Sequence, residues 1–166
     1  MTYVYNQGVP EADLPNPFAN PTYPNLSDFT TYVYNQGVPE ADLPTTSLWL
    51  QWAYDYAVDV AMNAPGMPSI LYVLAVYNAG VHRLLEIAQD LSGQTFFTNA
   101  RTQYGLLNFN AGPVISSGDV TTNQSQVQPE WMKSMTLSAN GLLKTPWGRM
   151  YLDYSQMYGP TVVGFS

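Results

Sequence analysis

No cysteine occurs in the chain, and histidine occurs once, at His82. Without thiols there is no disulfide, no thiolate nucleophile and no cysteine-based zinc site. Charge is scarce as well: Asp, Glu, Lys and Arg make up 10% of the residues against 46% hydrophobic ones. That balance is too apolar for a disordered chain and too poor in charge for a long coiled coil. Basic residues are missing from the whole first half. Residues 1–82 hold seven acids (Glu11, Asp13, Asp28, Glu40, Asp42, Asp55, Asp59) and no Lys or Arg, whereas the remainder carries five of each sign, so the net charge of −7 resides in the first half. DNA and anionic membranes bind through clustered Lys and Arg, so neither is expected as a tight partner. An acidic surface of this kind gives solubility, meets a basic partner, or lines a path to which polyanionic DNA must not stick. Long hydrophobic runs are also lacking. The best candidate, Ile70 to Val81, is interrupted by Tyr77, Asn78 and Gly80, short of the roughly 18 residues of a membrane span. The N-terminus shows no basic segment followed by an apolar one, so no signal peptide is expected.

What is present starts with a repeat. Thr2–Pro15 reads TYVYNQGVPEADLP, and Thr31–Pro44 reads the same without one substitution. Structural repeats diverge and recur at least three times to bury a shared core, so a single perfect copy reads as a recent duplication. Only the second copy leads into helical sequence. The segment between the copies is rich in Pro and Asn and reads as a linker, which makes residues 1–30 an arm outside the fold.

The 166 residues suit one domain with a sizeable core. A first helix is expected from a cap at Thr46 or Ser47, with Trp49, Trp52, Ala53, Tyr56, Ala57 and Val60 as its apolar face and Gln51, Asp55 and Asp59 opposite. Ala64-Pro65-Gly66-Met67-Pro68 ends it. A second helix is expected from Ser69 to about Leu91, its seam running through Ile70, Leu74, Tyr77, Val81, Leu84, Ala88 and Leu91, antiparallel to the first. A weaker helical stretch covers Thr98 to Leu107. Gly112 to Gln126 is polar and β-branched around a Ser-Gly turn, which predicts a hairpin or β-rich loop over about 112–126. Helical pattern returns from Pro129 to Lys144. A last helix has Thr145 as cap, Pro146 in the first turn, Gly159 just past its end and Pro160 behind. The expected class is therefore mainly α: a bundle of about four helices with a protruding β-hairpin or loop and extended N- and C-terminal arms. The helical domain spans 31–158 and the tail 159–166.

Chemistry is harder to find. His82 reads as lying on the polar side of the second helix, paired there with Glu86, as is Arg83. A lone His without a second ligand cluster makes a poor metal site. Asp55 and Asp59 share a face, but no Glu-rich partner helix supplies further ligands for a hard cation. Neither a GxSxG, a phosphate-binding Gly-rich loop nor an HExxH occurs. Asn78-Ala79-Gly80 resembles a packing break. No catalytic, metal-binding or cofactor-binding residue is thus expected, and the chain reads as a non-enzyme. Trp49, Trp52, Tyr56 and Tyr77 sit at core-compatible spacing. Tyr3, Tyr5, Tyr23, Tyr32, Tyr34 and Phe165 fall instead in arms that one bundle cannot bury. Such residues anchor other subunits, at ~1.5–3 kcal/mol each when fully buried.

The order of these segments, with Leu142 to Leu152 (LLKTPWGRMYL), Gly159 to Gly164 (GPTVVG) and the Ser- and Val-rich stretch from Gly112 to Ser125, resembles the head–tail connector proteins of the adaptor type in tailed bacteriophages. The likeness covers about residues 27–166 and rests on a Thr-x-x-Gly-Arg/Gln-x-Tyr-Leu motif. The N-terminal duplication departs from the family. The resemblance implies a structural virion protein of the neck, made in the bacterial cytoplasm. It implies a ring of copies, commonly twelve, docked under the portal, extending the DNA channel and carrying the stopper or tail protein, with DNA passing without specific binding. On that reading Pro160, Thr161, Val162, Val163 and Phe165 dock on the portal, and Val114, Ile115 and Val120 of the hairpin meet the next ring. Tyr32, Tyr34, Trp147, Arg149 and Tyr151 anchor neighbouring subunits or the bundle. Gly148 permits a close helix approach, and Arg149 pairs with Asp153. Competing expectations are a stopper or tail-completion protein, a carbohydrate-binding module or glycan hydrolase using the tyrosines and carboxylates, and a plain helical regulator.

Overall fold

A computed structural model describes residues 22–61, 63–107 and 141–158, with the backbone of 114–116 and 125–126. Among these residues the protein is mainly helical, with five helices: α1 (Leu26–Asn35), α2 (Leu48–Val60), α3 (Ser69–Ile87), α4 (Phe96–Gln103) and α5 (Pro146–Tyr158). Two short segments, β1 (Val114–Ser116) and β2 (Ser125–Gln126), pair antiparallel with an irregular register. The rest of the expected 112–126 hairpin, the 129–140 helical stretch, the first repeat copy and the 159–166 tail lie outside the described residues.

All the helices but α3, whose N-cap is Pro68, start on a local polar device. Asn25 accepts the Asp28 N–H at 2.8 Å while its own amide donates to the Asp28 carboxylate at 2.9 Å, a reciprocal cap for α1. Ser47 Oγ accepts the Trp49 N–H at the start of α2. Thr95, at the N-cap of α4, makes no such bond with its side chain. Asp90 supplies it from five residues upstream, accepting the N–H groups of Phe97 (2.6 Å) and Thr98 (2.9 Å). Burial is the largest single influence on the Asp90 carboxyl and raises it, but the bonds from Thr98 and Phe97 and the charge of Arg101 together outweigh it and hold the group below its ordinary value.

α3 is the axis of the fold. Every other helix touches it, and between Val73 and Leu85 it is buried on nearly all sides. Its length and apolarity match a membrane-crossing helix, and its place at the centre of the other four accounts for that composition. The expected pairing of the second predicted helix with the first is present as α3 against α2: Ala57 lies against Gly80, and the Arg83 guanidinium sits 4.8 Å over the Tyr56 ring. At the far end of α3, Arg101 from α4 donates to the carbonyls of Ala88 and Leu85, satisfying acceptors that the helix terminus leaves open.

Four sequence expectations change. The arm boundary at residue 30 falls inside α1, and Phe29 is completely buried against the rings of Tyr54 and Tyr77. The duplicated segment begins in mid-helix, so its edge does not mark the edge of the fold. On α2 the buried stripe is Leu50, Ala53 and Ala57, while Trp52 and Tyr56 are 53% and 42% exposed. Small residues face α3 because α3 approaches closely; the large rings are turned outward. Asn78-Ala79-Gly80 is no break, since α3 runs through it and Gly80 is bare where the Phe29 ring presses. The helix stops at Ile87, before Leu91, and both Ile70 and Leu91 at the ends of the expected seam are exposed.

Tyr77 and Tyr32 tie α1 to α3. The Tyr77 hydroxyl lies between the N–H (3.2 Å) and the carbonyl (3.3 Å) of Asn25, and the Tyr32 hydroxyl donates to Asn78 Oδ1 at 3.3 Å. Burial pushes both phenols up to about 12. An unfolded tyrosine ionises near pH 10, so the raised folded-state values contribute stability that is complete below about pH 10 and disappears as pH rises through about 12. Absorbance at 295 nm should therefore rise in two stages, exposed tyrosines first and these two with alkaline unfolding. A single stage centred on the ordinary value would contradict their burial.

Candidate functional site

The motif segment opens α5, and there the structure gathers a buried polar cluster. Thr145 is completely buried; its Oγ accepts the Gly148 N–H at 3.0 Å, capping α5 as the sequence predicts. The same oxygen lies 2.7 Å from His82 Nδ1, and His82 Nε2 lies 3.4 Å from Glu86 Oε1. Since Oγ already accepts from Gly148, its own hydrogen is free to donate to Nδ1, which leaves the imidazole's other N–H facing Glu86. Arg83 closes the set with a 3.0 Å pair to the other Glu86 oxygen. Burial alone would raise the Glu86 carboxyl, but His82 and Arg83 outweigh it and hold it below the ordinary value.

A hydroxyl, an imidazole and a carboxylate in line have the connectivity of a nucleophile relay. One observation points to a clasp instead: the Thr145 oxygen has no exposed surface and is engaged by both the Gly148 N–H and the His82 ring. His82 is therefore a buried hinge pin rather than the surface residue expected from its spacing: it is only 4% exposed, because α5 lies across the face of α3 that would otherwise be wet. Thr145→Val keeps the shape and removes the oxygen, leaving His82 Nδ1 and the Gly148 N–H without partners. It should cost about 2 kcal/mol, readable as a lower urea midpoint with unchanged slope.

The expected anchors are distributed over this body. Trp147 donates its indole N–H to Gln36 Oε1 at 3.0 Å and stacks edge-on against Tyr104. Tyr151 reaches across to α2, donating to the Val60 carbonyl at 3.0 Å. Tyr34 donates to the Leu43 carbonyl at 2.7 Å, and Tyr32 bonds Asn78 as above. Tyr32 and Tyr34, expected in an arm that the bundle could not bury, both pack against the core. Arg149 donates to the Leu143 carbonyl at 3.0 Å rather than pairing with Asp153. Gly148 does permit a close approach, and the neighbour is the chain's own preceding turn at Leu142. Val114 and Ile115 lie on β1; Val120 and the five tail residues Pro160, Thr161, Val162, Val163 and Phe165 lie outside the described residues.

Two outward features escaped the sequence pattern. Leu48, Trp52 and Tyr56, four residues apart, form an exposed apolar stripe on α2, with Asp55 and Asp59 beside it. Met150 and Met157, seven apart, form another on α5. Apolar residues at helical spacing look the same whether they face inward or outward; only the small size of Ala53 and Ala57 signalled which stripe of α2 lies against its neighbour. No protein-family model, curated protein or solved structure matches the chain.

Proposed function

We propose that this protein works by contact rather than by catalysis, as a structural assembly component, and more specifically as a head–tail adaptor of a tailed bacteriophage. In that role copies form a ring beneath the portal, extend the DNA channel and join the capsid to a stopper or tail protein. The observation that carries the reading is the Leu142–Leu152 segment. The stretch that resembles the adaptor motif is also the one that clamps α5 to α3 through Thr145, His82 and the bare Gly148. A rigid stem of that kind suits a C-terminal docking tail. The exposed stripes on α2 and α5 suit contacts between copies, each modest and multiplied around a ring, and the acid-rich, base-free first half suits a channel wall that does not hold DNA. The finer architecture proposed with it is a helical bundle bearing the 112–126 hairpin toward the next ring.

Truncation after Tyr158 should leave a folded helical monomer that no longer assembles on its partner. Circular dichroism checks the fold and particle completion checks assembly; truncated protein that still completes particles would remove the tail from the docking role. Electron cryomicroscopy of the particle tests the whole reading by position. A ring against the portal is the expected result, and a location further down the tail moves the protein to the stopper class. A second reading, carbohydrate binding, is favoured by one observation: Trp52 and Tyr56 lie exposed beside Asp55 and Asp59, the side chains that sugar stacking uses. Quenching of tryptophan fluorescence by saccharides would support it against the adaptor.

A further inference from the structure

The outward face of α2 is made by its exposed residues Leu48, Trp52, Asp55, Tyr56 and Asp59. At helical spacing they fall on one stripe about 100° wide. A solvated helix face is ordinarily polar, whereas here Leu48, Trp52 and Tyr56 stand in line, four residues apart. The rings are held in place. Trp49, packed against the core, meets Trp52 edge-on at 5.2 Å, and the Arg83 guanidinium lies over Tyr56. A ring fixed in advance loses little freedom when a partner covers it.

The carboxylates decide the occupant. Among the described residues the ion pairs are those of Glu86 with His82 and Arg83, so neither Asp55 nor Asp59 meets a cation; Asp55 accepts a neutral bond from Gln51 at 2.7 Å. The cations of the described residues are committed elsewhere. Arg83 is bound to Glu86, Arg101 to the carbonyls of Ala88 and Leu85, Lys144 to that of Gly105 and Arg149 to that of Leu143. A second copy brings the same acids and the same committed cations, and a net charge of −7 on each adds repulsion. Two copies can share the apolar part of the stripe, but its carboxylates call for charge that these cations do not spare.

We propose that this face of α2 is the docking site for a basic amphipathic helix of another protein. The partner's apolar seam lies along Leu48, Trp52 and Tyr56, and Lys or Arg beside that seam reaches Asp55 and Asp59. A cation placed there gains a carboxylate and the face of an aromatic ring together. Arg83 already does so within the chain, with Tyr56 beneath it and Glu86 beside it. α2 is 13 residues long, so the partner helix lies along it for about 20 Å. The inference is independent of the adaptor reading, since it concerns what α2 binds wherever the protein is placed.

The test uses the full chain and a dye-labelled peptide about four turns long, made of Leu and Lys with Leu at every third or fourth residue. A control peptide has Glu in place of Lys. Fluorescence anisotropy should show saturable binding of the Lys peptide below about millimolar concentration and none of the Glu peptide. Trp52→Ala should weaken that binding about tenfold or more. Leu48→Ala, which leaves the Trp49–Trp52 contact intact, should weaken it about threefold. Asp55→Asn with Asp59→Asn should weaken it about fivefold in low salt and little in high salt. Glu40→Gln with Asp153→Asn makes the same change of net charge at exposed positions off the stripe and should shift the affinity less than about twofold. Equal losses from the two pairs of substitutions would mean that net charge alone attracts the peptide, and would overturn the proposal. So would failure of the Lys peptide to bind, or full affinity in Trp52→Ala and Leu48→Ala. Sedimentation of the chain alone tests the other occupant: self-association that Trp52→Ala abolishes assigns the face to a second copy and overturns the proposal.

Discussion

Gly148→Ala is expected to lower stability by about 3 kcal/mol or more, a Tm loss of roughly 6–12 °C. A methyl group at that position would lie 2.1 Å from the Leu142 carbonyl oxygen and 2.8 Å from two further backbone atoms of the same residue. Those are main-chain atoms, so no rotamer change relieves the contact. The turn at Leu142 must move or α5 must tilt. Either motion pulls Thr145 away from His82, and the clasp that holds α5 to α3 goes with it. Alanine is the better helix former by about 1 kcal/mol, which the clash outweighs. Thermal unfolding gives the magnitude. Loss of the edge-on Tyr104–Trp147 contact, seen as a shift of tryptophan emission, shows that α5 is the part displaced. An unchanged Tm would mean that the turn is softer than its geometry implies.

Phe29→Ala is expected to cost about 3–5 kcal/mol, the usual penalty for emptying a fully buried aromatic site. The ring has no exposed surface and lies 5.8 Å and 5.7 Å, centroid to centroid, from Tyr54 and Tyr77. The void opens against α3 at Gly80, which has no side chain of its own to fill it. A fall in the urea midpoint with little change in slope is the expected signature. A loss below about 1 kcal/mol would mean that α1 is peripheral, as an arm ending at residue 30 would require.

The sequence reading reached α2, α3 and α5 because their caps and stops are local. Ser47, Ser69, Thr145 and Pro146 stand where helices begin for reasons that need no tertiary partner. It missed α1, because ten residues containing four Thr or Tyr inside a Pro- and Asn-flanked stretch carry a weak periodic signal. What makes them helical is Phe29 and Val33 meeting α3. The orientation of α2 was misjudged for a related reason: hydrophobicity is a property of a residue, but facing inward is a property of the pair. His82 is the sharpest case. Its i,i+4 spacing to Glu86 is real and the two do meet, yet the imidazole is buried because a helix more than sixty residues away covers it. Of the candidate site, the cap at Thr145 and the need for Gly148 were legible. The link from Thr145 to His82 was not.

Lys144 donates to the Gly105 carbonyl at 2.8 Å, and Tyr104 meets Trp147 just beside it. Residues 105 and 144 therefore meet although thirty-nine positions separate them. Closing a chain between two such points costs entropy only as the logarithm of its length, so doubling the number of intervening residues would cost about 0.6 kcal/mol. A lineage could lengthen or shorten the sequence between the two points while the stem formed by α3 and α5 stays as it is.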